Sequence, residues 1–235
     1  MNYKTGRLPA TRPTILKDLA VYALGDLPTP PTSVSPPNSP YPIDGNATYG
    51  DCTIAGVAHL IAAWNRLYGQ SDPVPDETAV IAEYFKLTGG QDTGLNEAEV
   101  LKTWLQSGLF GEKLAAYAPV PPTSLLNLHQ AIAFYGGAYL GIACPQSAQE
   151  QFARGVPWTY VGEQTEDGHC IVALGFTSDG SLICATWGGL AIVTAGFCAH
   201  YLEEAWVAIP NQLVEAKKDS LGIVLPQLQA DLNRV

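Results

Sequence analysis

The stretch GNATYGDCTIAGVAHLIAAWNRLY, residues 45–68, decides how the rest of the chain is read. Ile54, Val57, Ala58, Ile61 and Trp64 recur at helical spacing, which predicts a helix over 51–68. Asp51 is of the type favoured at an N-cap, so Cys52 falls in the first turn. Free backbone N–H groups and the helix dipole favour a thiolate there over a thiol. Gly45 and Gly50 allow a tight bend into the helix. Such a bend can hold a nucleophile toward a ligand. The same position also suits a small residue packed into a helical layer. Asp51 and Cys52 are carried forward as candidate site residues.

Downstream, helices are predicted over 76–88, 96–107 and 123–134, the last ended by Gly136 and Gly137. The pattern then changes. Residues 138–144, 169–176, 181–187 and 206–209 read as strands, with a turn at 178–181 and a short helix over 194–202. A helical half followed by a β-rich half is an α+β arrangement. Upstream, residues 1–45 hold nine of the 18 prolines and read as an extended strap, with a short helix near 15–23. The division expected is a Pro-rich basic arm (1–45), a helical lobe with Cys52 (46–137), a β-rich lobe with His169 (138–212) and a tail (213–235) with a helix after Pro226.

His169 gives Cys52 a partner. It lies in EDGHCIVALGF, at the entry of an apolar strand preceded by polar residues. A cysteine nucleophile needs a base on a different element, so that a cleft forms between them. His59, His129 and His200 fall inside predicted helices and read as packing or surface residues.

The ordered set Gly50-Asp51-Cys52, Gly168-His169 and Trp187-Gly188 resembles the papain family of cysteine peptidases, over roughly residues 45–210. The resemblance implies a papain-like α+β fold with an active cleft between the lobes. It implies Cys52 as nucleophile and His169 as base. Asn46 takes the place of the family's oxyanion-donating glutamine, and Trp187 shields the histidine. Tyr49 and Thr53 depart from the family's cysteine before the nucleophile and aromatic after it. Ala185 stands where the family has the asparagine that orients the histidine, with Thr186 adjacent. Strand alternation predicts that Thr186 faces away unless a bulge intervenes. Either Thr186, backbone or water orients His169, or the site is weak or dead.

Two functions therefore stand side by side. One is a thiol hydrolase, peptidase or amidase, acting on a peptide or amide with no cofactor and no metal. The other is a binding or structural component on the same fold, for example of a virus particle, tied to a protein partner by its arm. The charge pattern bears on the arm. Residues 1–17 carry +4, leaving −14 (eight basic against 22 acidic residues) on the remainder. A basic arm beside an acidic body either folds back onto it or holds an acidic neighbour. No basic stripe points to nucleic acid. No apolar run reaches the roughly 20 residues of a membrane span, and the first residues lack the apolar core of a secretory signal. A cytoplasmic or virion-associated protein is expected. Five widely spaced cysteines without a CxxC pair argue against a disulfide framework or a zinc site.

Overall fold

The computed structural model describes residues 3–69, 74–217 and 222–235. Helix α1 (Cys52–Tyr68) is the central element, and every residue from Cys52 to Trp64 is buried. A helix apolar on all sides must be covered on all sides. α2 (Glu77–Leu87) and α3 (Glu97–Gln106) follow, each with a side-chain cap. Asp76 accepts from Ala79 N–H at 2.9 Å and Asn96 from Glu99 N–H at 2.9 Å. α4 (Leu125–Tyr135) is capped by Ser124 and stopped by Gly136, whose φ of 81° satisfies the left-handed C-terminus that glycine tolerates.

The other layer is one antiparallel sheet. A two-residue strand in the N-terminal arm, β1 (Arg7–Leu8), pairs apart from it with β2 (Leu95–Asn96) in a parallel ribbon. The six strands are β3 (Leu114–Pro119), β4 (Ala138–Ala143), β5 (Gly168–Phe176), β6 (Leu182–Thr186), β7 (Gly189–Val193) and β8 (Leu202–Pro210). They lie in the order β3-β8-β4-β5-β6-β7. β3 falls within the segment read as helical. Its sequence, LAAYAP, is buried at every position, so it shows neither polar alternation nor β-branched residues to betray a strand. β7 lies in a stretch for which no element is expected from the sequence, and β8 starts upstream of the expected strand.

Short helices α5 (Gln146–Ala153), α6 (Ala195–Tyr201), α7 (Asn211–Lys217) and α8 (Leu225–Leu232) complete the described residues. None of the described helices is long and apolar enough to cross a membrane.

The N-terminal 45 residues are less detachable than an arm. Leu16, Leu19 and Tyr22 are buried in the core, and the helix expected near 15–23 is a single 3-10 turn over Leu19–Tyr22. Val34 and Phe176 exchange both backbone hydrogen bonds at 2.9 Å, which fastens the proline strap to the end of β5. The C-terminal tail locks the same region, with Val224 N–H donating to Tyr22 O at 2.6 Å and the Tyr22 hydroxyl donating to Asp231 at 2.9 Å.

α1 meets the sheet at Gly56. A Cβ there would lie 2.8 Å from the Tyr139 ring and 3.3 Å from both Cys170 Sγ and Val172. The Tyr139 hydroxyl donates to Thr53 O at 2.6 Å, holding the first turn of α1 against β4. Gly56→Val is expected to destabilise the protein by about 1–3 kcal/mol through overpacking. Urea unfolding should show a lower midpoint at unchanged slope, and an unchanged midpoint would contradict this account of the contact.

Candidate active site

Cys52 opens α1, and its sulfur lies against the backbone of Cys170, the residue after His169 on β5. The helix start and the strand start therefore meet. Asp51 precedes the helix but does not cap it with its side chain. That carboxylate instead turns back to accept from Gly45 N–H at 3.1 Å and from the Asn46 side-chain amide. The first-turn amides are thus left without a side-chain acceptor. Asn46, expected to face the thiol, gives its amide to Asp51, because a buried carboxylate is the stronger acceptor.

His169 is fully buried between two partners. Its Nε2 lies 2.8 Å from the Thr186 hydroxyl, and its ring stacks on Trp187 with centroids 4.3 Å apart. Nδ1 has no hydrogen-bond partner, so no hydrogen bond joins it to Cys52. Thr186 was expected to face away. The register explains why it does not. β5 pairs with β6 as Val172 opposite Ala185, so Ala185 lies on the other face and Thr186 shares the face of Ile171 and His169. The loop Trp187-Gly188 then joins β6 to β7 as a two-residue turn, with φ of 35° and 86°. Positive φ at a tryptophan is strained. The strain is offset by an aromatic cluster of Trp187 with His169, Trp158, Phe152 and Tyr3.

Tyr3 belongs to the N-terminal segment, which runs through the cleft. Tyr3 stacks on Trp187 at 4.8 Å, and Trp187 Nε1 donates to Lys4 O at 3.1 Å. Lys4 N–H donates to Asn46 O at 2.9 Å, Gly6 N–H to Gly168 O at 3.0 Å, and Leu95 N–H to Gly6 O at 3.1 Å. Gly6 also lies against the Cys52 sulfur. The walls are bare because they must be. A Cβ on Gly6 would strike the backbone of Gly50, one on Gly94 would strike Gly6, and one on Gly168 would strike Arg7. Asp92 braces one wall, accepting from Gly50 N–H at 2.9 Å and from the Tyr84 hydroxyl at 2.7 Å, while Tyr84 accepts from Gly94 N–H. A cavity of about 490 Å³ flanks residues 3–5 on the side of α5.

This cover sets the electrostatics. Burial pushes the Cys52 thiol up to about 12, against a smaller opposing effect from the backbones of Cys170 and Gly6. Burial, then the Arg7 charge, depresses His169 to about 3. At neutral pH the covered pair is a thiol and a neutral imidazole, not the thiolate that the helix start alone predicts. The other four cysteines are buried and free as well.

Residue 7 supplies what the sequence reading missed. The Arg7 guanidinium pairs with Glu203 and Glu204 and faces Glu97. Glu203 and Glu204, two adjacent acids in the otherwise apolar β8 (Leu202–Pro210), were the visible signal.

Among solved structures, the cysteine protease xylellain from Xylella fastidiosa aligns with a TM-score of 0.67 and 14% identity, over 89% of this chain and 98% of that one. A Carica candamarcensis cysteine protease in complex with E-64 aligns at 0.53 and 15%, over 76% and 98%. The bromelain protease from Ananas comosus, also with E-64, aligns at 0.53 and 13%, over 76% and 99%. No family model and no curated protein matches the sequence. The fold is the papain-like α+β fold, with helices packed against an antiparallel β-rich lobe.

The 3-10 turn before α1, Asp44–Ala47, carries a pH-dependent buried carboxyl group. Asp44 is buried, and neither carboxyl oxygen has a hydrogen-bond partner. His59 Nε2 lies 3.6 Å away but bonds Pro42 O, and burial lowers His59 to about 4, leaving it neutral. Burial, then the Asp51 charge, raises Asp44 from 3.8 to about 7. The unfolded chain releases this proton near pH 4 and the folded chain near 7. The folded state therefore loses stability as pH rises through that window, and the loss is complete above it. Asp44→Asn removes the ionisation, and asparagine suits the φ of 51° at this position. The variant is expected to exceed the parent in urea stability at pH 8 by the order of a few kcal/mol. The two should converge at pH 4, and an equal gap at both pH values would contradict the assignment.

Proposed function

We propose that this chain is a papain-like thiol hydrolase, a peptidase or amidase, in which Cys52 attacks and His169 carries the proton. The observation that carries the reading is the buried His169 ring, clamped by Trp187 and Thr186 with Nδ1 unpartnered, on the strand that lies against the Cys52 sulfur. With the proton on Nε2 donated to Thr186, the Nδ1 lone pair is free to accept the thiol proton. The sulfur then bonds to the carbonyl carbon, and the oxyanion is met by the amides that open α1. Collapse expels the amine, which takes the proton from His169, and water resolves the acyl-enzyme by the same relay. Asn46 contributes to the oxyanion only on exchanging Asp51 for the substrate.

The arm defines the resting state. While residues 3–8 fill the cleft, the thiol stays protonated and covered. Its displacement restores water and lets the helix start lower the thiol pKa. The competing proposal, a binding or structural component such as a virus-particle protein, is favoured by the same filled cleft if the arm never leaves.

The test uses the full chain and E-64. Arg7→Ala loosens the arm, and E-64 should then label Cys52 faster than in the parent, with no adduct in Cys52→Ala, as mapped by peptide mass. Against a peptide and amide library, Thr186→Val should lower turnover about tenfold to a hundredfold, part of the 10²–10⁴ that general acid–base catalysis supplies. Thr186→Ser should retain it. Labelling of another cysteine, or neither labelling nor turnover in any variant, refutes the hydrolase and hands the case to the structural reading.

A further inference from the structure

The pocket that holds Arg7 is more elaborate than a latch requires. Glu203 and Glu204 are neighbours on β8, and side chains of successive strand residues point to opposite faces. Here both reach one guanidinium. The pairing of β4 with β8 slips at this point, from Gly141 opposite Glu204 to Ile142 opposite Leu202, which leaves Glu203 as an extra residue. A bulge of this kind re-aims a side chain. Trp206 Nε1 donates to the second oxygen of Glu204 at 3.1 Å and fixes it. Glu97, the first residue of α3, closes the pocket. It is fully buried, and its carboxyl group meets the Arg7 charge on one side and the Cys170 thiol on the other. Burial, then the Glu204 charge, raises its pKa, and Arg7 opposes them.

The space itself is shaped for an arginine. A Cβ on Gly141 would lie 2.8 Å from Arg7 Cδ and 3.0 Å from Nη1, and one on Gly168 would lie 3.2 Å from Nε. The arginine side chain is 2% exposed, whereas Glu203 is 49% exposed, so the pocket opens at one side of the cleft. Three acidic groups face one cation. When the arm leaves, they remain as an uncompensated acidic pocket beside the nucleophile, and an unpaired buried charge is strongly unfavourable.

We propose that Glu97, Glu203 and Glu204 form the specificity pocket of this cleft, which selects peptides carrying arginine next to glycine, and that Gly6-Arg7 is its internal occupant. The glycine requirement comes from Gly50, whose backbone leaves no room for a side chain at the preceding position. The arginine requirement comes from the planar fork that two carboxylates can engage together. As a statement about substrate, the proposal rests on the hydrolase reading above; as a statement about binding, it is tested without it.

Two full-chain variants test the pocket. In Gly6→Leu/Arg7→Ala, the leucine collides with Gly50 and ejects the arm, and the peptide acetyl-Lys-Thr-Gly-Arg-Leu-amide is titrated by calorimetry. It should bind about tenfold to a hundredfold more tightly than the same peptide with citrulline, which keeps the shape and loses the charge. Adding Glu204→Gln should abolish that preference. In Arg7→Ala alone, millimolar arginine amide should raise the melting temperature, with no rise in the parent or in Arg7→Ala/Glu204→Gln. This second measurement decides the matter if the double variant does not fold. Equal binding of the arginine and citrulline peptides, or absence of rescue when the double variant is unfolded, overturns the pocket. E-64 labelling of Cys52 in the same samples separates the two claims. Labelling without arginine preference overturns the pocket alone, and arginine preference without labelling supports the pocket while counting against the hydrolase.

Discussion

The contact of α1 with β5 is the constraint from which the site follows. Gly56 brings the helix close enough for Cys170 and Val172 to pack on it, and the Tyr139 hydroxyl bonded to Thr53 O fixes the first turn. Once that turn is fixed, the position of Cys52 is no longer independent of His169, because Cys170 is both the packing neighbour and the residue after the histidine. The cleft is thus the upper rim of the hydrophobic core rather than a depression added to its surface. Changes to core volume at Gly56 act on both the fold and the geometry of the candidate site, since close-packed interiors transmit small displacements.

The same closeness makes solvent the controlling variable. A helix start lowers a thiol pKa only modestly, while complete burial raises it by more, and the covered Cys52 at about 12 shows which effect wins. His169, depressed to about 3, follows the same rule with opposite sign. Neither residue needs to move for the pair to change character. Removing residues 3–8 from above them would change the dielectric, and with it both pKa values. The polar atoms that now satisfy the arm, Gly168 O, Asn46 O and Leu95 N–H, would be left for another extended chain to satisfy.

Apolar residues at helical spacing made α1 to α4 legible within a few residues, and α1 and α4 end at glycine. The order of Cys52, His169 and Trp187 made the fold legible at the level of topology. β3 was not legible, since LAAYAP is buried on both faces and carries no period. The role of Thr186 was hidden for a different reason. Which of Ala185 and Thr186 shares a face with His169 depends on cross-strand register, and register is a property of two strands, not of one. The short loop Trp187-Gly188 carried part of the answer, since a two-residue turn at that point places Thr186 last in β6. Glu97 lies far from Glu203 and Glu204 in the chain, and only the bulge in β8 and the start of α3 bring them to one guanidinium.

The arm and the pocket are therefore best understood as one electrostatic unit. Burial works against the charge of Arg7, yet Glu97, Glu204 and Glu203 together outweigh it and hold the guanidinium pKa above its ordinary value. The favourable side of that balance exists only while the acids remain ionised, and Glu97, the most deeply buried, is the least able to do so alone. The arginine thus stabilises the very charges that retain it. Gly6 sits over Cys52 because Arg7 is anchored one residue further on, and Tyr3 covers Trp187 because the intervening backbone is pinned to both lobes. A segment held by a side-chain anchor at one end and an aromatic stack at the other closes a cleft with few residues, and it leaves the walls between them free to be glycine.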